Sequence, residues 1–449
     1  MKQKFQEISN FYFIGIGGIG MSALARYFHA FGKQVAGYDK NPTKLTKTLA
    51  ELGIVIHYTD DVKAIPKSFL QVDNTYIIYT PAIVETHREF AYFKENNFVI
   101  KKRAVLLGEI TAQTYTMAVA GTHGKTTTTA ILAHLLKETG VKMTAFLGGI
   151  SENYYSNLVQ TGNEVIVVEA DEFDRSFLQL SPNIAAITSM DADHLDIYKK
   201  ADALQASFQD FAALVQDQLI VKNGLPLKGL TIGIEDHSDY EAINVKVDNG
   251  TYIFDLKTPN ATINELHLNL PGRHNLLNAV TAFAMALLYG SPSKALAKAL
   301  TSFKGVQRRF SYHIKNENLI YIDDYAHHPA EIDALHQAIR EMHPNKKVTA
   351  IFQPHLYSRT QDFADDFGKS LSNFDQVLLL DIYPARELPI EGVNATWLLN
   401  KIPLENKKYI EKENLYAQIK KTTSDVWVTI GAGDIGEEVS NIKEALTTQ

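Results

Sequence analysis

The chain of 449 residues contains no cysteine. Disulfides, zinc-thiolate sites, iron-sulfur clusters and thiol nucleophiles are therefore excluded, and a reducing compartment is permitted. The sequence also lacks any uncharged apolar run near the roughly 18 to 20 residues that a helix needs to cross a bilayer. We expect a cytoplasmic protein that does not insert into membranes.

Proline and glycine, at 14 and 26 residues, are too few for a fibrous repeat or a low-complexity chain. Apolar residues make up 45% and charged residues 21%, which is typical of a globular protein. At roughly 150 residues per domain, the length predicts about three domains. The 44 Lys and Arg are outnumbered by 51 Asp and Glu, so the net charge of −7 argues against nucleic acid as a partner. An anionic substrate would need a local basic pocket.

The amino terminus has some features of a secretory signal, because Lys2 and Lys4 precede an apolar run that starts at Phe11. Glu7 interrupts the basic region, and glycines between positions 15 and 20 interrupt the apolar run. We therefore reject a signal peptide and assign these glycines to a ligand-binding turn.

Short β-branched runs alternate with helical patterns through most of the sequence, which predicts α/β domains with parallel sheets. Between about 239 and 270 the pattern changes, and Asn249-Gly250 predicts a hairpin turn in an antiparallel flap. The predicted domains are a Rossmann-like domain at 1–112, a central phosphate-loop ATPase-type domain with the flap at 113–309, and a second Rossmann-like domain at 310–449.

The first junction between a strand and a helix has the glycine pattern of a nucleotide-binding turn. It reads Gly15-Ile16-Gly17-Gly18-Ile19-Gly20 and precedes a predicted helix from Met21 to Phe31. Glycines here let backbone amides and the helix end approach a pyrophosphate. Asp39 closes the next strand, where its carboxylate can accept hydrogen bonds from a ribose diol. NAD and any nucleoside diphosphate fit this pattern, and a tight turn without a ligand is the structural alternative.

A similar glycine pattern, Gly431-Ala432-Gly433-Asp434-Ile435-Gly436, follows a predicted strand at 426–430. Only about thirteen residues follow Gly436, too few for another strand to supply the acid that contacts a ribose. We expect this third turn to be structural.

The second junction is more specific for phosphate. Gly121-Thr122-His123-Gly124-Lys125-Thr126 lies between a predicted strand and a helix that we expect to run to about Thr139. Glycine amides can bind phosphate oxygens, Lys125 can contact the β- and γ-phosphates, and the Thr126 hydroxyl can join a Mg²⁺ shell. Val119 stands where the generic phosphate loop has its first glycine, which weakens a generic NTPase interpretation but not phosphate binding.

Carboxylates follow two further predicted strands. Glu169 begins the acidic run that ends at Asp174, and Asp191-Ala192-Asp193-His194 follows the strand at 184–188. Open α/β sheets bind ligands at these strand ends, and oxygen and imidazole ligands suit Mg²⁺ or Mn²⁺. Each group alone is more often a solvated loop, but together they predict a metal site with Glu169 as the best-placed ligand.

Amides and cations follow in the last part of the chain. Asn275 and Asn278 stand three apart on a predicted helix, where their carboxamides can pair with adenine, although Asn275 also suits an N-cap. Arg308-Arg309 and the segment from Asp323 to Pro329 crowd cations, acids and imidazoles into a candidate interface site.

His355, Tyr357 and Arg359 follow a predicted strand at 348–352 and can hold a carboxylate by charge-assisted hydrogen bonds. Isolated histidines in helical stretches, such as His134 and His336, are expected to be bystanders.

These motifs resemble those of the ATP-dependent Mur ligases over essentially the whole chain. The resemblance implies one domain that binds a UDP-sugar, a central ATPase and a third domain that closes over an amino acid. The segments that carry it are Gly15 to Ser22, Gly121 to Thr127, Glu169 to Asp174, Asp191 to His194, His274 to Asn278, Asp323 to Pro329 and Gln353 to Thr360.

The resemblance also implies residue roles. The implied ATP contacts are Gly121, Thr122, His123, Gly124, Lys125, Thr126, Thr127, Asn275, Asn278, Arg309 and Asp324. The implied ligands of Mg²⁺ or Mn²⁺ are Thr126, Glu169 and His194. The implied substrate contacts are Gly15, Gly17, Gly18, Ile19, Gly20, Asp39, Tyr325, His355 and Arg359. The implied catalytic residues are Lys125, His194, His327 and Arg359.

Two departures from the family pattern bear on the substrate. Leu356 stands where many relatives have an arginine, which leaves His355 and Arg359 to hold the carboxylate of the amino acid. Relatives that add later residues use a modified lysine near a second metal, and here Ser207-Phe208-Gln209 occupies the approximate region. This favours the alanine-adding branch of the family and argues against a carbamate.

For that branch, the expected reaction transfers the γ-phosphoryl of ATP to the lactyl carboxylate of UDP-N-acetylmuramate. L-alanine then attacks the acyl phosphate, and His327 is the expected acceptor of the amine proton. The alternatives are a muropeptide-recycling ligase that adds a tripeptide, an NAD-dependent dehydrogenase, which leaves Lys125 unexplained, and a non-catalytic nucleotide-binding regulator. We expect a monomer or a weak homodimer.

Overall fold

The computed structural model describes residues 5–191, 201–248, 250–385 and 387–448. Three β-sheets flanked by helices form the described part of the chain, which confirms the predicted α/β class. The chain divides into two compact units. Unit 1 comprises Met1–Asn244, Phe254–His267 and Leu277–Lys304, and unit 2 comprises Val245–Ile253, Leu268–Leu276 and Gly305–Gln449.

The first sheet has five parallel strands in the order β3-β2-β1-β4-β5. Strand β1 is central and buried along its whole length, as an apolar strand between two helical layers should be. The strand ends at Ile14 because Gly15 turns the chain with φ of +87°. The strands are β1 Asn10–Ile14, β2 Gln34–Tyr38, β3 Val55–His57, β4 Thr75–Tyr79 and β5 Val99–Lys102.

The second sheet has ten strands in the order β15-β14-β13-β12-β11-β10-β6-β9-β7-β8. Strand β6 lies between β10 and β9, so the loop that follows it is flanked by the carboxyl ends of two parallel strands. The strands are β6 Tyr115–Ala120, β7 Met143–Ser151, β8 Ser156–Gln160, β9 Val165–Ala170, β10 Ile184–Ile187, β11 Gln218–Lys222, β12 Leu230–Ile234, β13 Tyr240–Asp248, β14 Thr251–Lys257 and β15 Thr262–Leu268.

The predicted flap corresponds to β13, β14 and β15, which are neighbours in the sheet. Strand β13 ends at Asp248 and β14 begins at Thr251, and β14 ends at Lys257 while β15 begins at Thr262. Strands so close in sequence pair only antiparallel. The antiparallel flap is therefore confirmed, although Asn249 of the predicted turn lies outside the described residues.

The third sheet has six strands in the order β16-β17-β21-β18-β19-β20. Strand β16 pairs antiparallel with β17, and the other pairs are parallel. The strands are β16 Ser311–Lys315, β17 Ile320–Asp324, β18 Val348–Phe352, β19 Gln376–Leu379, β20 Lys407–Tyr409 and β21 Val426–Ile430.

Helices cover these sheets, and none of those in the described residues is long and apolar enough to cross a membrane. The helices are α1 Ile19–Ala30, α2 Lys44–Glu51, α3 Arg88–Glu95, α4 Arg103–Thr111, α5 Lys125–Glu138, α6 Ala201–Ala213, α7 Arg273–Leu288, α8 Ser293–Thr301, α9 Pro329–Met342, α10 Tyr357–Asp362, α11 Ala364–Leu371, α12 Ala395–Lys401, α13 Leu415–Ile419 and α14 Val439–Thr447.

Helix α5 forms although it opens with four successive threonines, which have low helix propensity. Tertiary packing outweighs that propensity, since the helix is buried from Thr126 to Leu136. His134 on this helix is a structural residue: its Nδ1 lies 2.6 Å from the Tyr154 hydroxyl, and its Nε2 lies 2.9 Å from Ser302 Oγ.

One hydrophobic core joins the first two sheets within unit 1. Helix α1 contributes Tyr27 to it, and the Tyr27 ring centroid lies 5.3 Å from that of Phe146 on β7. Close-packed interiors resist relative movement of the elements that share them. The shared core therefore fixes the first glycine turn relative to the loop that follows β6.

Candidate functional site

Two positions in the loop after β6 have room for no residue other than glycine. Gly121 has φ of +132°, and a Cβ on it would lie 2.2 Å from Thr188 Oγ1. Gly124 has φ of +82°, and its Cβ would lie 2.5 Å from Asn278 Oδ1. A side chain at either position would strain the backbone and force its neighbours aside. The two glycines therefore let the loop pack closely against Thr188 and Asn278.

Hydroxyl groups after β10 hold the loop in shape. Ser189 Oγ accepts a hydrogen bond of 2.7 Å from the His123 amide and lies 2.9 Å from Thr122 Oγ1. Thr188 Oγ1 donates to the His123 carbonyl over 2.5 Å, and the Asp191 amide donates to Thr122 Oγ1 over 3.1 Å. The prediction missed Thr188 and Ser189, whose only signal in the sequence is their position at a strand end.

Lys125 is held by a carboxylate that the prediction did not single out. Its Nζ donates to the Gly121 carbonyl over 2.7 Å and to the two Glu172 oxygens over 2.8 and 2.9 Å. The Glu172 side chain is fully buried. Burial alone would lower the pKa of Lys125, but the charges of Glu172, Asp171 and Glu169 outweigh it and raise that pKa. Lys125 is therefore a permanent cation in this loop.

Two of the three predicted metal ligands lie together. Thr126 Oγ1 donates to Glu169 over 2.9 Å, and Glu169 Oε2 also accepts a hydrogen bond of 3.0 Å from the Gly148 amide. The third, His194, lies outside the described residues. Within residues 5–191, 201–248, 250–385 and 387–448, no three His, Asp or Glu side chains form a metal cluster. A hydroxyl and a carboxylate fit Mg²⁺, which usually takes few protein ligands and completes its shell with water and phosphate.

The amides of the first glycine turn are largely used by the protein itself. The Gly15 and Ile16 amides donate to the Tyr38 carbonyl, and the Gly17 amide donates to Asp39 Oδ2 over 2.7 Å. The Asp39 carboxylate thus stabilises the turn. Its proposed contact with a ribose stays a prediction. Helix α1 begins at Ile19, and amides in a first helical turn lack intrahelical acceptors. The amides of Ile19 and Gly20 are thus the better-placed donors to a pyrophosphate.

A cavity of about 300 Å³ extends from this turn to the acids at the carboxyl end of β9. Arg103 lines it, close to Gly20, and its Nη2 lies 3.8 Å from Asp171 Oδ2. The prediction missed Arg103, since nothing in its local sequence marks it as facing a distant glycine turn. The cavity wall includes Gly18, Ile19, Gly20, Arg103, Glu169 and Asp171.

In unit 2, Asp324 shapes the loop that follows β17. Its Oδ2 accepts from the Phe310 amide over 2.7 Å, and its Oδ1 accepts from the Ala326 amide over 2.8 Å. Burial raises the pKa of Asp324 to about 6, against the opposing charge of Arg309. The Arg309 guanidinium carbon lies 5.1 Å from the centre of the Tyr325 ring. The structure thus brings Arg309, Asp324 and Tyr325 together, and their substrate contacts stay predictions.

His327 has a defined tautomer. Its Nδ1 lies 2.9 Å from the Tyr325 carbonyl, which can only accept, so Nδ1 carries the proton. Glu331, which the prediction missed, accepts hydrogen bonds from the His327 and His328 amides and caps helix α9. Burial lowers the pKa of His327 and outweighs the nearby charge of Glu331, which would raise it. The ring is therefore neutral, with a lone pair on Nε2.

The predicted carboxylate-binding groups lie beside this histidine. The ring centroids of His327 and His355 are 6.1 Å apart, and Arg359 Nη1 lies 3.5 Å from His355 Nδ1. Leu356 is buried with φ of +70°, a conformation that costs free energy for a residue other than glycine. The backbone thus carries strain next to His355.

Helix α7 begins at Arg273, so Asn275 lies inside the helix and the alternative in which it caps the helix is wrong. Its Nδ2 donates to the Pro271 carbonyl over 2.7 Å. Asn278 lies against Gly124 of the phosphate loop. The adenine contacts of both asparagines stay predictions.

The third glycine turn is filled by side chains, as its structural interpretation expects. Arg308 Nη2 donates to the Gly431 carbonyl over 2.5 Å, and Gln353 Oε1 accepts from the Ile435 amide over 3.0 Å. A Cβ on Gly436 would lie 2.3 Å from Arg308 Cζ. Arg308 therefore ties this turn to Asp323, to which it forms an ion pair of 3.3 Å.

Comparison with protein families matches most of the chain to one family in three consecutive parts. Residues 10–115 match the Mur ligase family, catalytic domain; residues 119–286 match the Mur ligase middle domain; and residues 308–435 match the Mur ligase, glutamate ligase domain. The chain belongs to the Mur ligase family. This confirms the family resemblance and the three-domain α/β architecture, while the exact domain bounds stay predictions.

Relatives of this Mur ligase share its full length. A UDP-N-acetylmuramate–L-alanine ligase from Christiangramia forsetii is 62% identical over 98% of this chain and 98% of its own. One from Flavobacterium psychrophilum is 60% identical with the same coverage of both chains. The crystal structure of UDP-N-acetylmuramate-alanine ligase MurC from Thermotoga maritima has a TM-score of 0.83 at 28% identity, covering 98% of this chain and 99% of its own.

A murein peptide ligase from Psychrobacter arcticus has a TM-score of 0.70 at 21% identity, with coverage of 98% of this chain and 99% of its own. At that identity the likeness shows the shared fold alone.

Gly124 and Gly140 flank helix α5 in this Mur ligase, and they offer a matched test of the phosphate loop. Gly124 and Gly140 share φ of +82°, but a Cβ on Gly140 would meet no atom within 4 Å. We expect each alanine variant to lose about 1 kcal/mol of stability from backbone strain. Only Gly124→Ala should weaken binding of Mg·ATP in calorimetry, by at least about tenfold, because it distorts the loop. Equal affinities of the two variants would contradict this role of the loop.

Proposed function

We propose that this Mur ligase joins L-alanine to the lactyl carboxylate of UDP-N-acetylmuramate, with cleavage of ATP to ADP and phosphate. The observation that carries the proposal is the cavity that links the first glycine turn to Glu169, beside the loop of Lys125 and Thr126. A nucleotide-linked sugar held at the turn can extend its acid toward that loop. Two full-length relatives at 62% and 60% identity bear the name of this activity.

The UDP end of the substrate would lie at helix α1. The amides of Ile19 and Gly20, the positive end of the helix and the Arg103 guanidinium face the same cavity and together suit a diphosphate. The carboxylate end would then face Glu169 and Asp171, which repel it unless cations intervene.

Activation of the carboxylate requires two anions to meet, because the γ-phosphoryl of ATP passes to the lactyl oxygen and forms an acyl phosphate. Lys125 and the amino-terminal end of α5 stabilise the charge on the transferring group. Mg²⁺, bound by Thr126 and Glu169 with His194 as the proposed third ligand, would offset the negative charge of the phosphates.

The amine of L-alanine must lose a proton as it attacks the acyl carbon. His327 is the proposed acceptor, because its ring is neutral and its Nδ1 proton is fixed on the Tyr325 carbonyl, which leaves Nε2 as a base. His355 and Arg359 would hold the carboxylate of the amino acid.

The comparisons favour this function over the muropeptide-recycling ligase, and membership of a ligase family argues against the dehydrogenase and the non-catalytic regulator. The cytoplasmic location, the absence of nucleic acid and the monomeric or weakly dimeric state stay predictions.

The function is tested by phosphate release from ATP. We expect release only when UDP-N-acetylmuramate and L-alanine are both present, and Lys125→Ala should reduce turnover by at least about 10²-fold because it removes a transition-state charge contact. Lys137→Ala, which removes a lysine from the other end of the same helix, serves as the control and should retain turnover. Phosphate release that needs a tripeptide instead of L-alanine would overturn the proposal.

The role of His327 is tested by separating the two chemical steps. We expect His327→Gln to slow amide formation by about 10²-fold or more while the acyl phosphate, trapped with hydroxylamine as a hydroxamate, still forms at the wild-type rate. His336→Gln, on the helix that follows, should leave both steps unchanged. An equal loss of hydroxamate and amide in His327→Gln would exclude His327 as the proton acceptor.

A further inference from the structure

All three hydrogen-bond donors of the Lys125 ammonium group are used within the protein. An ammonium carries three N–H donors, and the structure provides three acceptors at 2.7, 2.8 and 2.9 Å, namely the Gly121 carbonyl and both oxygens of Glu172. A phosphate oxygen can therefore bind Lys125 only after one of these hydrogen bonds opens. The Glu172 side chain is fully buried, and that of Lys125 is 12% exposed, so water screens the pair poorly.

Glu172 reaches the loop from a strained turn. The turn follows β9. Shortly after Glu172 in this turn, Asp174 and Arg175 have φ of +52° and +53°. Two adjacent residues other than glycine in the left-handed region cost free energy and persist only where other contacts hold them. The ion pair of Glu172 with Lys125 is one such contact, and the hydrogen bond of 3.0 Å from the Arg175 amide to the Glu172 carbonyl is another.

We propose that Glu172 is the counter-ion of Lys125 in the nucleotide-free enzyme and that the phosphates of ATP displace it when they bind. The inference rests on the proposed function, because it requires ATP at this loop. Lys125 would be costly to bury without a negative partner, and Glu172 supplies one until phosphate arrives. Once phosphate is present, two anionic groups compete for a single cation.

A displaced counter-ion and a positioning residue at Glu172 would have opposite effects on nucleotide affinity. A carboxylate that merely orients Lys125 would help both the folded enzyme and the nucleotide complex. A carboxylate that competes with phosphate stabilises the free enzyme and weakens nucleotide binding. Removing its charge should therefore lower the melting temperature of the free protein and tighten the nucleotide complex.

The test is Glu172→Gln in the full-length protein, with Mg²⁺ and the non-hydrolysable ATP analogue AMP-PNP as the probe. We expect the Kd from calorimetry to fall by about tenfold, the scale of one charge-assisted hydrogen bond, and the melting temperature of the nucleotide-free variant to fall. Addition of the probe should raise the melting temperature of the variant more than that of the wild type. An unchanged or higher Kd would overturn the proposal.

Asp174→Asn is the matched control. It removes one negative charge from the same turn, but Asp174 pairs with Lys102 over 3.4 Å at the surface and not with Lys125. Asparagine also tolerates the left-handed conformation of this position. The Kd of this control should stay at the wild-type value. An equal fall in Kd for both variants would overturn the proposal, because it would show that loss of any negative charge from this turn tightens nucleotide binding.

If Glu172→Gln fails to fold, Glu172→Asp keeps the charge but withdraws the carboxylate by one methylene group. The Kd should again fall, by less than in the glutamine variant, and a Kd at or above the wild-type value would overturn the proposal. Failure of the proposed function is distinguished from these outcomes because in that case the wild-type protein itself would not bind the probe.

Discussion

A largely buried positive charge at the start of α5 is the constraint on which the rest of the site depends. Lys125 sits in a loop whose glycines leave no room for side chains, and it needs a negative partner whether or not nucleotide is bound. Glu172 provides that partner in the free protein. The phosphate loop, the acids after β9 and the buried helix α5 thus form one electrostatic unit.

Packing places the cavity beside the first glycine turn next to this charge. Because the first two sheets share one hydrophobic core, the amino-terminal end of α1 and the acids after β9 line the same cavity. Arg103 extends the positive field of α1 into that cavity, where Asp171 already pairs with it. An anionic substrate therefore meets cations at one end and needs the metal and Lys125 at the other, which suits a reaction that joins a carboxylate to a phosphoryl group.

The elements that could be predicted from the sequence are those with local signals. The parallel strands, the glycine turns after β1 and β6, the flap and the Thr126–Glu169 pair follow from apolar runs, glycine spacing and acids at strand ends. The partners of those residues could not be predicted, because they come from distant segments. Glu172 is 47 residues from Lys125 in sequence, and its acidic run offers several equivalent carboxylates.

The same limit explains the differences at the first turn and at helix α7. Asp39 was predicted to contact a ribose, yet its carboxylate accepts a hydrogen bond from Gly17, a contact that depends on how two strands are placed side by side. Asn275 suited a helix cap by residue type, but the helix begins two residues earlier. Residue type and spacing define candidates, and the tertiary fold decides which atoms they contact.

Isotope transfer can show whether ATP activates the carboxylate by phosphorylating it. UDP-N-acetylmuramate labelled with oxygen-18 in its lactyl carboxylate would be converted with ATP and L-alanine, and the released phosphate would be examined by mass spectrometry. We expect each phosphate to carry one labelled oxygen from the carboxylate. Unlabelled phosphate, or release of AMP and pyrophosphate, would contradict it.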